Sequence, residues 1–137
     1  MPPFVHRLRV RYNECDQQDA VFNANYLVYV DVTLTEMWRE AFGSYGAMAE
    51  GGIDLVVAEA NVRYLKAARF DDLLDIAAEI ERLGNTAITT RFDITRSGDP
   101  IAVATLRHVV VDLREGTKTS IPDDVRSALE RYAAPTA

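Results

Sequence analysis

The sequence predicts an α+β protein with one long helix and a largely antiparallel sheet. Three observations carry that expectation. A single broad apolar stripe at helical spacing lies between residues 24 and 42, and alternating segments after residue 55 follow one another with no helical stretch between them. Glycine-containing turns separate several of those segments. The element order, β-α-β-β-β-β-α, has no βαβ alternation beyond its first unit, which argues against a parallel sheet.

The first strand is expected at 5–12, "VHRLRVRY", where Arg7, Arg9 and Arg11 alternate with Leu8, Val10 and Tyr12. From Ala24 the period changes. Tyr26, Leu27, Val30, Leu34, Met37, Trp38, Ala41 and Phe42 share one helical face, with Asn23 placed as N-cap and Gly43 as the residue that stops the helix. Nineteen residues would make a rod of roughly 28 Å.

After "EGG" (50–52), Val56 to Tyr64 alternate as a second strand. "LLDIAAEIERL" (73–83) suits a helix by composition, but the turn signal "GN" that follows reads as a hairpin, so a strand is expected. Segments 86–96 and 100–113 flank "SGD" and carry the β-branched residues of two further strands. The tail 121–132 opens on Ile-Pro-Asp-Asp and continues with Val125, Leu129 and Tyr132 at helical spacing. Strands of ten or more residues imply a strongly curved sheet around the long helix, with two edges that a second copy could cover.

With 137 residues, 48% of them hydrophobic, the chain is expected to form one domain over 1–137. Its single cysteine, Cys15, cannot form an internal disulfide, and His6 and His108 lack the spacing of a zinc pair, so no metal is expected. The start "MPPFVHRLRV" lacks a signal-peptide core, and nothing approaches the roughly 18 to 20 apolar residues of a membrane helix, which makes the cytoplasm the expected location. A net charge of −6 disfavours general nucleic-acid binding by repelling phosphate.

Chemistry is sought in "NECDQQDAVFNANY" (13–26), a polar loop that runs into the long helix. By itself an aspartate there is most simply a turn former, and Tyr26, Tyr29 and Trp38 are most simply helix packing. The longer stretch "RYNECDQQDAVFNANYLVYVD" (11–31), taken with "VRYLKAARFDDLLDI" (62–76), resembles the hotdog-fold acyl-CoA thioesterases of the 4-hydroxybenzoyl-CoA thioesterase type. That family has a loop of the form D-x-x-G-x-V-x-x-x-x-Y before a central helix, and an A-R-x-D-D turn matched here by Ala68, Arg69, Asp71 and Asp72. Asp19 stands where the family usually has glycine, and aspartate can adopt the left-handed backbone such a position needs.

The resemblance implies a curved antiparallel sheet wrapped around the helix and hydrolysis of an acyl-CoA thioester to a free acid and coenzyme A. Asp16 would act as nucleophile or general base, with backbone amides near Asn23, Ala24 and Asn25 holding the oxyanion and Asn23 counted in the catalytic set. Phe22, Asn25, Tyr26 and Glu59 would contact substrate, and Arg63 and Arg82 would hold the coenzyme A portion, with Lys66, Arg69, Arg91 and Arg96 as further cations. Coenzyme A enters as part of the substrate, no separate cofactor is expected, and the assembly would be a homodimer or tetramer. The absence of histidine between His6 and His108 argues against a hydratase. The alternative is a non-catalytic hotdog protein that binds an acyl or aromatic ligand.

Overall fold

The computed structural model describes residues 4–44 and 46–134. Five strands, β1 (Phe4–Arg9), β2 (Ile53–Tyr64), β3 (Leu73–Leu83), β4 (Ala87–Arg96) and β5 (Asp99–Asp112), form one antiparallel sheet in the order β1-β3-β4-β5-β2. Helix α1 (Asn25–Phe42) packs on its inner face against β1, β3 and β5. A single turn, α2 (Ala47–Glu50), and a short helix, α3 (Asp123–Glu130), complete the chain. This is the curved α+β architecture expected of the hotdog class.

Alternation explains the core. Leu74, Ile76, Ala78 and Ile80 on β3, Ile88, Phe92 and Ile94 on β4, and Ala102, Ala104, Leu106 and Val110 on β5 all point inward and are buried. They meet Tyr26, Tyr29, Val30, Leu34, Met37 and Trp38 of α1. Burying each large aliphatic side chain contributes about 1.5–3 kcal/mol. The periodicity placed Leu27 on this stripe, but it is partly open to solvent, and Tyr29 and Thr33 take up the buried face instead. Trp38 donates its indole N–H to Met48 Sδ, which ties α2 to α1.

Three boundaries differ from the sequence reading for physical reasons. Strand β1 ends at Arg9 because Val10 leaves the sheet to exchange backbone hydrogen bonds with Asp71 and Asp72, and Tyr12–Glu14 turn as a 3₁₀ helix. Helix α1 begins at Asn25 rather than Ala24, and Asn23 does not cap it. Ala24 holds the cap position with nearly helical dihedrals (φ −65°, ψ −24°), and no side chain caps the first turn. Strand β2 starts at Ile53, three residues before its alternation becomes legible.

Turns follow their residues. Gly43 closes α1 at φ +83°, donating to Arg39 O at 2.8 Å. Ser97 and Gly98, at φ +50° and +82°, form the two-residue hairpin between β4 and β5, a twist that suits adjacent strands. The sheet has two edges. Beyond β1, the exposed side of β3 is covered by the chain end, where Ile80 donates to Tyr132 O and Ala134 donates to Ile80 O, both at 2.8 Å. Nothing among the described residues covers the outer edge of β2.

Candidate active site

Asp16 sits at the base of a small hairpin. Cys15 bridges Val21, Asp16 N–H donates to Ala20 O at 2.9 Å, and Asp19 N–H donates to Asp16 O at 3.0 Å. The three-residue loop Gln17–Asp19 closes with Asp19 in the left-handed region, φ +60°. A loop of this length ends on such a residue, commonly glycine, and aspartate tolerates it at modest cost. The departure at Asp19 therefore leaves the backbone path intact and adds a carboxylate. Asp16 Oδ1 accepts the Gln18 N–H at 2.8 Å, which orients its carboxylate.

Two structures hold this hairpin. On one side Glu14, buried beneath the loop, accepts from Arg11 N (2.7 Å), the Arg11 guanidinium (3.0 and 2.7 Å) and the Tyr29 hydroxyl (2.9 Å). Burial pushes the Glu14 pKa up, but the Arg11 amide and guanidinium and the Tyr29 hydroxyl outweigh it and hold the carboxyl below the usual range. Tyr29 is held well above its ordinary pKa by burial first and by its bond to Glu14 second. The Glu14 carbonyl accepts from the Asn25 side chain and from Phe22 N–H, both at 2.9 Å.

On the other side lies the segment 65–72, which contains the A-R-x-D-D turn. Ala68 O accepts the Val21 N–H at 2.8 Å while Ala68 N–H donates to the Tyr26 hydroxyl at 3.1 Å. Arg69 Nη1 reaches the carbonyls of Gln18 and Asp19, each at 3.4 Å, and Asp72 is anchored by Arg96 at 2.7 Å. The two stretches singled out in the sequence are thus the loop and its bracket.

Asp16 is solvent-exposed in the isolated chain and lines an open cleft of about 640 Å³ with Tyr12, Cys15, Gln17, Asp19 and Phe70. Tyr12 (75% exposed) and Phe70 (51% exposed) form its aromatic wall, their ring centroids 5.8 Å apart. Asn23 lines a different depression, of about 320 Å³, with Val21, Tyr26 and the segment Tyr64–Ala67. One chain alone does not bring Asp16 and Asn23 into one cavity. At the helix start, the N–H groups of Asn23 and Ala24 have no acceptor among the described residues, whereas Asn25 N–H donates to Phe22 O at 2.8 Å. Asn25 is therefore removed from the set of open amides, because the chain enters α1 through 3₁₀-type bonds that consume it.

The remaining residues fall apart into roles. Phe22 is exposed and close to the helix start. Tyr26 is buried, its ring set edge-on to Tyr29 and Tyr64, and Asn25 ties the loop to α1. Tyr64 adds a bond from its hydroxyl to Asn23 O at 3.0 Å. Glu59 lies on β2 opposite Arg107, outside the Asp16 cleft. Arg82 on β3 pairs with Thr89, which pairs with Arg107, so Arg82, Thr89, Arg107 and Glu59 form one row across the open face of the sheet. Arg63 belongs to a different row, opposite Val103, and β4 and β5 separate its strand from that of Arg82. His108 is buried on the inner face, its pKa pushed down by burial, and lies outside the cleft. Sequence reasoning passed over Glu14, Tyr12 and Phe70. Glu14 three residues after Arg11 has the spacing of a capping pair, the one local signal that marked it.

A helix start with two open amides and a braced loop that presents a carboxylate in a separate cleft stand on a sheet curved around one helix, the architecture of the hotdog class. Residues 18–103 match the model of the thioesterase superfamily. The chain belongs to that superfamily and is a thioester hydrolase. It is 27% identical over 126 residues to the acyl-CoA thioesterase YbgC of Haemophilus influenzae, covering 91% of this chain and 93% of that one. It is 26% identical over 127 residues to the long-chain acyl-CoA thioesterase FadM of Escherichia coli, covering 91% and 96%. A crystal structure of a hypothetical protein from Aquifex aeolicus, 28% identical, superposes with a TM-score of 0.88 over 93% of this chain and 99% of that one. No helix of the described residues is long and apolar enough to cross a membrane.

Proposed function

We propose that the protein hydrolyses acyl-CoA thioesters at the Asp16 cleft, with Asp16 as nucleophile or general base and the Asn23 and Ala24 amides as oxyanion donors. The observation that carries this reading is the placement of Asp16: a carboxylate open to a cleft, on a hairpin fixed by Glu14, Arg69 and Ala68, four residues after an aromatic wall residue and seven before the helix entry. In the nucleophilic route a carboxylate oxygen bonds to the thioester carbon, the carbonyl electron pair moves to oxygen, and the C–S bond then breaks to release coenzyme A thiolate. Water hydrolyses the resulting mixed anhydride. In the general-base route Asp16 takes the proton of the water that attacks the thioester carbon, and the same oxygen becomes negative. Its electron pair then returns as the C–S bond breaks, the proton passing from Asp16 to the leaving thiolate or to solvent.

The active form is proposed to be a homodimer, since Asp16 and Asn23 occupy separate depressions of one chain and β2 presents an uncovered edge. The coenzyme A phosphates are proposed to meet guanidinium groups on the sheet face, Arg82 with Arg107 in one row and Arg63 in another. The decisive experiment measures hydrolysis of aliphatic and aromatic acyl-CoAs by the wild type and by Asp16→Asn. Turnover that drops about 10³-fold in the variant supports the reading. Tight binding of the same thioesters without wild-type turnover favours a ligand-binding protein instead.

A further inference from the structure

Asp19 leaves a charge that the reaction does not use. Its carboxylate has no ion-pair or hydrogen-bond partner among the described residues, although it lines the same cleft as Asp16. Arg69 reaches only the backbone oxygens of Gln18 and Asp19 there. The cleft lining holds two carboxylates, two aromatic rings, a thiol and an amide, and no basic side chain. Such a surface suits the acyl group better than the phosphates of the nucleotide. The Cys15 thiol reports the local field: burial raises its pKa most, and the largest charge effect comes from Asp19, ahead of Glu14 and Asp16.

We propose that Asp19 is a specificity-determining residue, a charge filter that favours neutral acyl groups and discriminates against acyl groups ending in a carboxylate. The proposal rests on the assignment of the Asp16 cleft as the acyl site. An incoming anion would meet Asp16 and Asp19 together, in the open cleft walled by Tyr12 and Phe70. Repulsion between unit charges a few ångströms apart near a protein surface changes a rate by about tenfold or more. The hairpin holds the Asp19 backbone at φ +60°, so the side chain leaves the loop on the cleft side, and glycine or asparagine can replace it without moving the loop.

The test compares pentanoyl-CoA with glutaryl-CoA, equal in chain length and different in one terminal carboxylate, for the wild type, Asp19→Asn and Asp19→Gly. The expected result is a wild-type kcat/KM ratio that favours pentanoyl and falls about tenfold in both variants through a gain on glutaryl-CoA. Added salt to about 1 M should shrink the ratio more in the wild type than in the variants, in which Asp16 is the one carboxylate left in the cleft lining to be screened. A ratio unchanged in both variants, or one that falls only by loss on pentanoyl-CoA, overturns the filter. Dissociation constants of the thioethers S-pentyl-coenzyme A and S-(4-carboxybutyl)-coenzyme A separate the two readings. Wild-type protein that turns over no ester defeats the catalytic assignment, while equal affinity of the wild type for the two thioethers defeats the filter.

Discussion

Glu14 is the residue on which the position of Asp16 depends, and its carboxylate makes four hydrogen bonds, three from Arg11 and one from Tyr29. Its folded pKa lies below the ordinary value of 4.5, so the unfolded chain binds the proton more readily. The stabilisation is complete above about pH 4.5 and is lost as pH falls through the lower folded value. Glu14→Gln should therefore cost about 2 kcal/mol at pH 7 in chemical denaturation, with the gap to the wild type narrowing below pH 4. A gap that is constant with pH would show that charge plays no part. Cys15 supplies a second residue-scale expectation. Burial and the surrounding carboxylates keep its thiol above 9.0, so alkylation by iodoacetamide should be slow at pH 7–8 and accelerate only beyond pH 9. Rapid labelling at neutral pH would make Cys15 a rival nucleophile to Asp16.

At the scale of elements, the entry to α1 carries the chemistry. Ala24 has φ −65°, a value proline adopts without strain, and its N–H has no acceptor to lose. Ala24→Pro deletes that amide but disfavours the helical Asn23 that the Asn25-to-Phe22 turn requires, so the comparison uses variant protein whose circular dichroism and melting match the wild type. Its kcat should fall about 100-fold if that amide holds the oxyanion, since one such donor contributes about 3 kcal/mol. Unchanged kcat would remove Ala24 from the site. Much of the element pattern was legible: β3, β4 and β5 alternate cleanly because one face is core and the other open, and Gly43 ends α1 as its type suggests. What the sequence hid is non-local. Tyr29 looks like one more stripe residue until Glu14 is folded against it, and Phe70 joins the Asp16 cleft only because Val21 and Ala68 are hydrogen-bonded across 47 positions of sequence. The Asn23 cap misled because the chain enters the helix through i→i−3 bonds, for which a capping side chain is not needed.

For the whole molecule, the question is what covers β2. Its inner-face residues Val57, Ala60 and Tyr64 pair with His108, Leu106 and Ala102 of β5, all buried, yet they are themselves exposed. The reason is geometric: α1 packs mainly over β1, β3 and β5 and meets β2 through the Tyr26–Tyr64 ring contact at the end of that strand. Residues Val56 to Asn61 are open on both faces, in a strand 12 residues long. A long apolar edge of this kind invites pairing unless something blocks it, and β2 has no proline and a single basic residue, Arg63. Antiparallel pairing of two β2 strands about a twofold axis would continue the sheet, cover Val57, Ala60 and Tyr64, and bring the helix start of one copy toward the other. Sedimentation of the wild type at micromolar concentration should then give twice the chain mass of 15.3 kDa. Ala60→Lys, which places like charges on both sides of that axis while remaining solvated in a lone chain, should shift the species to the monomer. It should abolish thioester hydrolysis together with the dimer. A wild type that sediments as a monomer and still turns over substrate would show that each chain holds a complete site, and the dimeric enzyme would have to be abandoned.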